Sequence, residues 1–254
     1  MAYVISIVNQ KGGVGKTTTA VNLSAFLAKK RKKVLVIDLD PQGNATSGYG
    51  FEKSGLENTV YDLLVNEEEI TKVIAATSDK NVDMCPTNIN LAGAEVELVS
   101  AISRETILKR AIEPVLDKYD YIIVDCPPSL GLLTINALTA CEGVIVPIQG
   151  EYYALEGLSQ LIDTINMIKK KLNPAVGILG VVITMHDRRT QLTKQVVEEV
   201  QKYFGDKVFN TFIPRNVRLA EAPSHGLTIE EYDPKSKGSL AYQALSNEVI
   251  KRTK

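Results

Sequence analysis

The chain has 254 residues, 44% hydrophobic and 23% charged, with 29 basic and 30 acidic side chains and a net charge of -1. That length can bury a full core without disulfides or metals, and the near-even charge excludes a strongly basic, nucleic-acid-coating surface while leaving room for a local patch. Cys85, Cys126 and Cys141 form no C-x-x-C pair and read as buried small side chains in a reducing cytosol. The first residues enter a strand without a basic leader, and no apolar run reaches the roughly 18 residues of a membrane span. With no repeat, low-complexity tract or Pro/Ser-rich linker, one domain is expected over residues 1–254.

The alternating run Tyr3 to Val8 predicts a strand, and Thr19 to Ala28 a helix. Between them lies N-Q-K-G-G-V-G-K-T-T, Asn9 to Thr18. Strand, Gly-rich turn and helix make the setting of a phosphate-binding loop. Glycines let backbone N–H groups approach phosphate oxygens, and the helix N-terminus adds positive partial charge. In that setting Lys16 reaches the β- and γ-phosphates and the Thr17 hydroxyl ligates Mg²⁺, with Gly12, Gly13, Val14, Gly15 and Thr18 supplying the cradle. The pattern G-x-x-x-x-G-K-[ST] departs in one place: Gln10 stands where glycine is required, and a second lysine, Lys11, opens the loop.

Lys33 to Asp38 predicts a second buried strand, preceded by the basic turn Lys29 to Lys33, a solvated helix end favoured by the macrodipole. Asp38 and Asp40 follow at its carboxyl end, the edge where parallel sheets bind ligands. Alone, such acids read as a capped turn; beside the phosphate loop they read as functional. Residues 50–118 are mostly helical in pattern, with a helix from Thr59, a short strand Asn81 to Pro86, and amphipathic helices Ile89 to Ile102 and Arg104 to Leu116. Tyr119 to Asp125 is a buried strand ending in a carboxylate, a Walker B pattern whose Asp125 meets Mg²⁺ or its water. The two prolines of Cys126 to Gly131 stiffen the loop that follows.

Further strands are predicted at Gly143 to Gln149, Ile178 to Thr184 and Val208 to Pro214, with helices from Glu151 to about Lys171, to Phe204, and from Ser239 to Arg252. The last should turn Leu240, Leu245, Val249 and Ile250 to the core. Continuous apolar strands separated by helices imply an α/β fold, a mostly parallel twisted sheet covered on both faces. Arg188, Arg189 and Arg218 read, residue by residue, as ordinary solvated charge, and His186 and His225 as surface or capping groups.

K-G-G-V-G-K-T-T resembles the deviant Walker A motif of the MinD/ParA group of P-loop ATPases. D-L-D-P-Q-G-N-A-T-S, L-A-G-A-E-V-E-L, D-C-P-P-S-L-G, E-Y-Y-A-L-E-G-L and I-P-R-N-V-R-L-A-E-A-P-S-H-G extend the likeness from Asn9 to Pro234 and resemble ParA/Soj-type partitioning ATPases. The resemblance implies ATP and Mg²⁺ as cofactors, a homodimer when ATP is bound, and water attack on the γ-phosphoryl group. It further implies that Lys11 reaches the partner subunit's nucleotide, Asp40 orients the attacking water, Asp38 lies near the Mg²⁺ waters, and Pro214 and Asn216 line the adenine. Non-specific double-stranded DNA, met by Arg189 and Arg218, and a ParB/Spo0J-type protein are the implied partners, in the cytoplasm on the nucleoid. A MinD-like membrane-positioning ATPase is the alternative, disfavoured because the final helix has an ordinary core stripe rather than a basic lipid-binding face. An iron–sulfur reductase lacks a second placed cysteine, a tyrosine kinase lacks a tyrosine cluster, and a GTPase lacks N-K-x-D.

Overall fold

The apolar runs become strands buried on both faces. The computed structural model describes residues 1–150, 158–187 and 189–254. Its strands are β1 (Tyr3–Ile7), β2 (Val34–Asp38), β3 (Ala75–Ala76), β4 (Val82–Cys85), β5 (Tyr121–Asp125), β6 (Gly143–Gln149) and β7 (Gly177–Thr184). They form one sheet in the order β3-β4-β2-β5-β1-β6-β7, parallel throughout except for the two-residue edge β3.

The helices among the described residues are α1 (Lys16–Lys29), α2 (Asn44–Gly48), α3 (Val60–Val65), α4 (Ile70–Val73), α5 (Leu91–Glu97) and α6 (Ile107–Ile112), then α7 (Leu132–Ala140), α8 (Leu158–Lys171), α9 (Gln191–Phe204), α10 (Val217–Glu221), α11 (Ile229–Tyr232) and α12 (Lys237–Arg252). Strand parity sorts the core into two layers. Val4, Leu35, Ile37, Ile122 and Val124 pack with α7, α8 and α9 on one face. Ile5, Ile7, Val34, Val36 and Ile123 pack with α1 and α12 on the other. The two ends of the chain meet there, and the Tyr242 hydroxyl lies 3.2 Å from Thr19 Oγ1, one turn into α1.

Four expectations need correction. Residues 208–214 form no regular strand, and their pairing with β7 and the segment after it is limited to isolated bridges at Val208 and Pro214. The reason is a competitor: the Glu248 carboxylate accepts the backbone N–H groups of Asn210 and Thr211, and Thr211 N is the donor that would follow Phe209 N along a ladder with β7. The helices expected at 89–102 and 104–116 are short and broken. Ser103 takes a left-handed φ of 54°, and Pro114 allows only a 3-10 turn after α6. In α12 Leu240 is exposed, and Tyr242 takes a core place beside Leu245 and Val249, with Ile250 partly buried. Short α2 was not expected in the polar stretch after Asp40. The Glu151 to Gly157 start of the long helix lies outside the described residues, as does Arg188. The three cysteines are free and buried, as read.

Candidate active site

The carboxyl edge of the sheet gathers the charged residues. The loop after β1 turns through Gly13 (φ 72°) and Gly15 (φ 85°), left-handed positions that glycine takes without strain. It is pinned from outside. Asn9 Nδ2 donates to the Pro147 carbonyl at 2.7 Å, Asn9 Oδ1 accepts from Lys11 N, and the Thr184 hydroxyl donates to the Val14 carbonyl at 2.8 Å. Helix α1 opens at Lys16 with no side-chain cap and no acid in its first turn, so its amide donors and positive end face the loop's concavity. The Lys16 ammonium donates to the Lys11 carbonyl at 3.0 Å. Burial lowers its pKa, and Asp125 and then Asp40 pull it back up, which sets all three charges in one neighbourhood.

Asp38 and Asp125 end adjacent strands in register. The Asp38 carboxylate accepts from Thr46 N and Thr46 Oγ1, each at 2.8 Å, and from Asp40 N at 3.2 Å. Burial still raises its pKa to about 6, against those hydrogen bonds. Asp125 is buried, and neither oxygen has a hydrogen-bond partner of good geometry among the described residues. Its pKa stands well above the usual range, first through burial and then through Asp38, with the Thr17 hydroxyl acting the other way. A buried, unpartnered carboxylate is costly unless a proton or cation completes it. Among the described residues no cluster of three His, Cys, Asp or Glu side chains stands ready to hold a metal alone. The arrangement therefore fits a cation shared with phosphate oxygens and a hydroxyl, the usual habit of Mg²⁺. Asp40 accepts from Gln42 N at 3.0 Å and is nearly buried.

A mainly apolar cavity of about 220 Å³ adjoins the loop, lined among others by Gly15, Thr18, Thr184, Met185, Pro214 and Asn216. Pro214 and Asn216 are thus brought to the phosphate loop from the far end of the sequence. Asn216 caps α10 by accepting Arg218 N at 2.8 Å. Met185 has a positive φ of 49°, an uncommon strain for a non-glycine residue. Sequence reasoning missed Asn9, Thr46, Thr184 and Met185. Thr184 and Met185 stand at a strand's carboxyl end, and Asn9 and Thr46 lie inside the quoted motifs, but nothing in the pattern tells which loop each one serves. Arg189 and Arg218 lie in the open, each already paired: Arg189 with Asp187 through Nε and Nη2, Arg218 with Glu221 at 2.9 Å and Asp233 at 3.6 Å.

Residues 2–178 match the family described as AAA domain. The chain is 60% identical over 249 residues to the sporulation initiation inhibitor protein Soj of Bacillus subtilis, covering 98% of each. The chain belongs to the Soj/ParA family of chromosome-partitioning ATPases. The Treponema pallidum chromosome-partitioning ATPase Soj is 51% identical, over 99% of this chain and 98% of that one. Among solved structures, cobyrinic acid a,c-diamide synthase of Mycobacterium smegmatis with bound ADP and magnesium superposes with a TM-score of 0.88 at 36% identity, over 100% and 96% of the two chains. The cell division ATPase MinD of Pyrococcus furiosus gives 0.81 at 27%, over 99% of each chain. The fold is shared by proteins named for different tasks; the Soj/ParA relatives, similar along their whole length, point to partitioning. Among the described residues no helix is long and apolar enough to cross a membrane.

Proposed function

We propose that this partitioning ATPase is an ATP-gated dimer switch that holds double-stranded DNA without sequence preference and lets go when a ParB-type partner speeds hydrolysis. The observation that carries the reading is the unpartnered Asp125 carboxylate beside Lys16 and the uncapped start of α1. ATP places its phosphates on the loop amides, Lys16 and Thr17, and its base in the cavity of Pro214 and Asn216. Thr17, Asp125 and Asp38 would hold Mg²⁺, which would neutralise charge on the phosphates. Lys16 steadies charge developing on the γ-phosphoryl oxygens. Asp40 orients water, and its hydrogen bond from Gln42 N fixes which way the carboxylate turns. Lys11 reaches the partner subunit's nucleotide across a two-fold axis, while the Lys16 ammonium donates to the Lys11 carbonyl within the loop.

Asp40→Ala should leave ATP bound and accumulate a dimer while turnover falls about 100-fold, the scale of losing a positioned base. Lys11→Ala should bind ATP yet remain monomeric in sizing chromatography and hydrolyse little. Wild-type turnover in Asp40→Ala, or an ATP-dependent dimer in Lys11→Ala, would remove these roles.

A further inference from the structure

The stretch L-A-G-A-E-V-E-L, Leu91 to Leu98, has no part in the ATP chemistry, yet one of its side chains lies on the loop after Asp125. Glu95 Oε1 is buried and has no hydrogen-bond partner among the described residues. A Cβ built on Gly131 would stand 2.0 Å from that oxygen, 3.0 Å from Glu95 Cδ and 3.3 Å from Oε2. The carboxylate thus rests on the bare Cα of Gly131. Gly131 has φ -73° and ψ -171°, an extended conformation open to any residue. Its own backbone does not demand glycine at this position; the space taken by Glu95 does.

Gly131 is also the N-cap of α7, which has no side-chain cap. Glu95 meets the start of α7 through packing against Gly131 rather than through a cap hydrogen bond. The other end of the same segment is tied to the opposite acid loop. Thr87 N donates to Thr46 Oγ1 at 2.9 Å, and Thr46 holds Asp38. Residues 87–95 therefore bridge the Asp38 loop to the Asp125 loop, and Pro127 and Pro128 stiffen the path from Gly131 back to Asp125.

We propose that Glu95 is a positioning residue for ATP hydrolysis: seated on Gly131, it sets the loop from Cys126 to Gly131, and with it Asp125, relative to Asp38. It touches no nucleotide. A buried carboxylate oxygen without a partner costs stability, a cost set here against the placing of the loop.

The colliding atom is the tip of a flexible side chain, so Gly131→Ala expels the carboxylate and keeps the fold. Gly131→Ala and Glu95→Ala then remove one and the same interaction. Each should lower kcat about 3- to 10-fold with ATP affinity little changed, and the double variant should fall no further than the lower single, the mark of coupled sites. Glu95→Gln, equal in shape, should keep kcat within about 2-fold of the parent. The Tm of Glu95→Ala should hold or rise, which a merely structural side chain would not allow. Parental kcat in either single variant, multiplied losses in the double, or a Tm drop tracking the kcat loss would overturn the proposal. It rests on the role given to Asp125 in the proposed function. Asp125→Asn, assayed alongside for Mg²⁺-dependent ATP binding, fails only if that role is wrong, whatever Glu95 does.

Discussion

Asp38 and Asp125 show how one strand end can be satisfied and its neighbour left wanting. Asp38 spends its oxygens on Thr46 and Asp40 N, whereas Asp125 keeps both free of good partners. The imbalance has a pH signature. Folding raises the Asp38 pKa from 3.8 to about 6, and Asp125 moves in the same direction. The folded form therefore binds these protons more tightly than the unfolded chain. The Asp38 contribution to stability is complete below its unfolded pKa and is lost as pH rises through about 6. Asp38→Asn should flatten the nucleotide-free Tm profile between about pH 4 and 7 and raise Tm at the neutral end. An unchanged slope in thermal melts would show that Asp38 does not titrate in this window.

At the scale of elements, the segment from Val208 to Pro214 was legible by hydropathy and misread in form. Its apolar residues do pack inward: Phe209 lies over Gly180, where a Cβ would come within 2.4 Å of the ring, and Ile213 is buried. What breaks the ladder is Glu248, which stands in no periodic relation to Asn210 and Thr211 along the chain but is adjacent to them in space on α12. Glu248→Ala should leave two backbone donors without that acceptor and cost about 1–2 kcal/mol, a Tm fall of roughly 2–6 °C. Because the same segment runs on to Pro214, ATP affinity should weaken too. Unchanged affinity by calorimetry, with the Tm loss present, would uncouple the segment from the cavity.

The arginine patch is a matter for the whole molecule. Arg189 and Arg218 are exposed, and both have carboxylate neighbours that blunt their charge. Such surface pairs are weak and screened by salt, so phosphates can displace them, most effectively when two-fold symmetry presents the patch twice. In the Asp40→Ala background, Arg189→Ala/Arg218→Ala should weaken DNA retention and flatten its salt dependence, by about 0.9 in log–log slope for each phosphate no longer engaged. Glu221→Ala, which removes the nearer of Arg218's two carboxylate partners, should strengthen retention. Random duplexes should behave alike, because phosphate contacts carry no sequence. Parental affinity in the double variant would move the DNA surface elsewhere. The chain should also melt in one cooperative transition, as expected for residues 1–254 acting as a unit, because α12 closes on α1; two resolved transitions would divide it.

The parallel sheet, the phosphate loop and the two strand-end acids are legible in the sequence, because each depends on neighbours within a few residues. Apolar continuity makes a strand buried on both faces, and glycine spacing makes a loop that can turn its amides inward. Three-dimensional packing settles which Asp is left without good partners, that Thr184 holds the Val14 carbonyl, and that Glu95 occupies the space a side chain on Gly131 would need. It also turned Leu240 outward and set Tyr242 against Thr19, since which face of α12 is buried depends on where α1 lies. Arg252 is the plainest case. An arginine in the last turn of a helix is ordinarily a solvated charge that suits the helix dipole. Here its guanidinium donates to the carbonyls of Leu179, Asp206, Lys207 and Val208 and lies over Phe209 at 4.2 Å. Those partners come from two distant segments, and a pattern that counts only near neighbours along the chain carries no record of them.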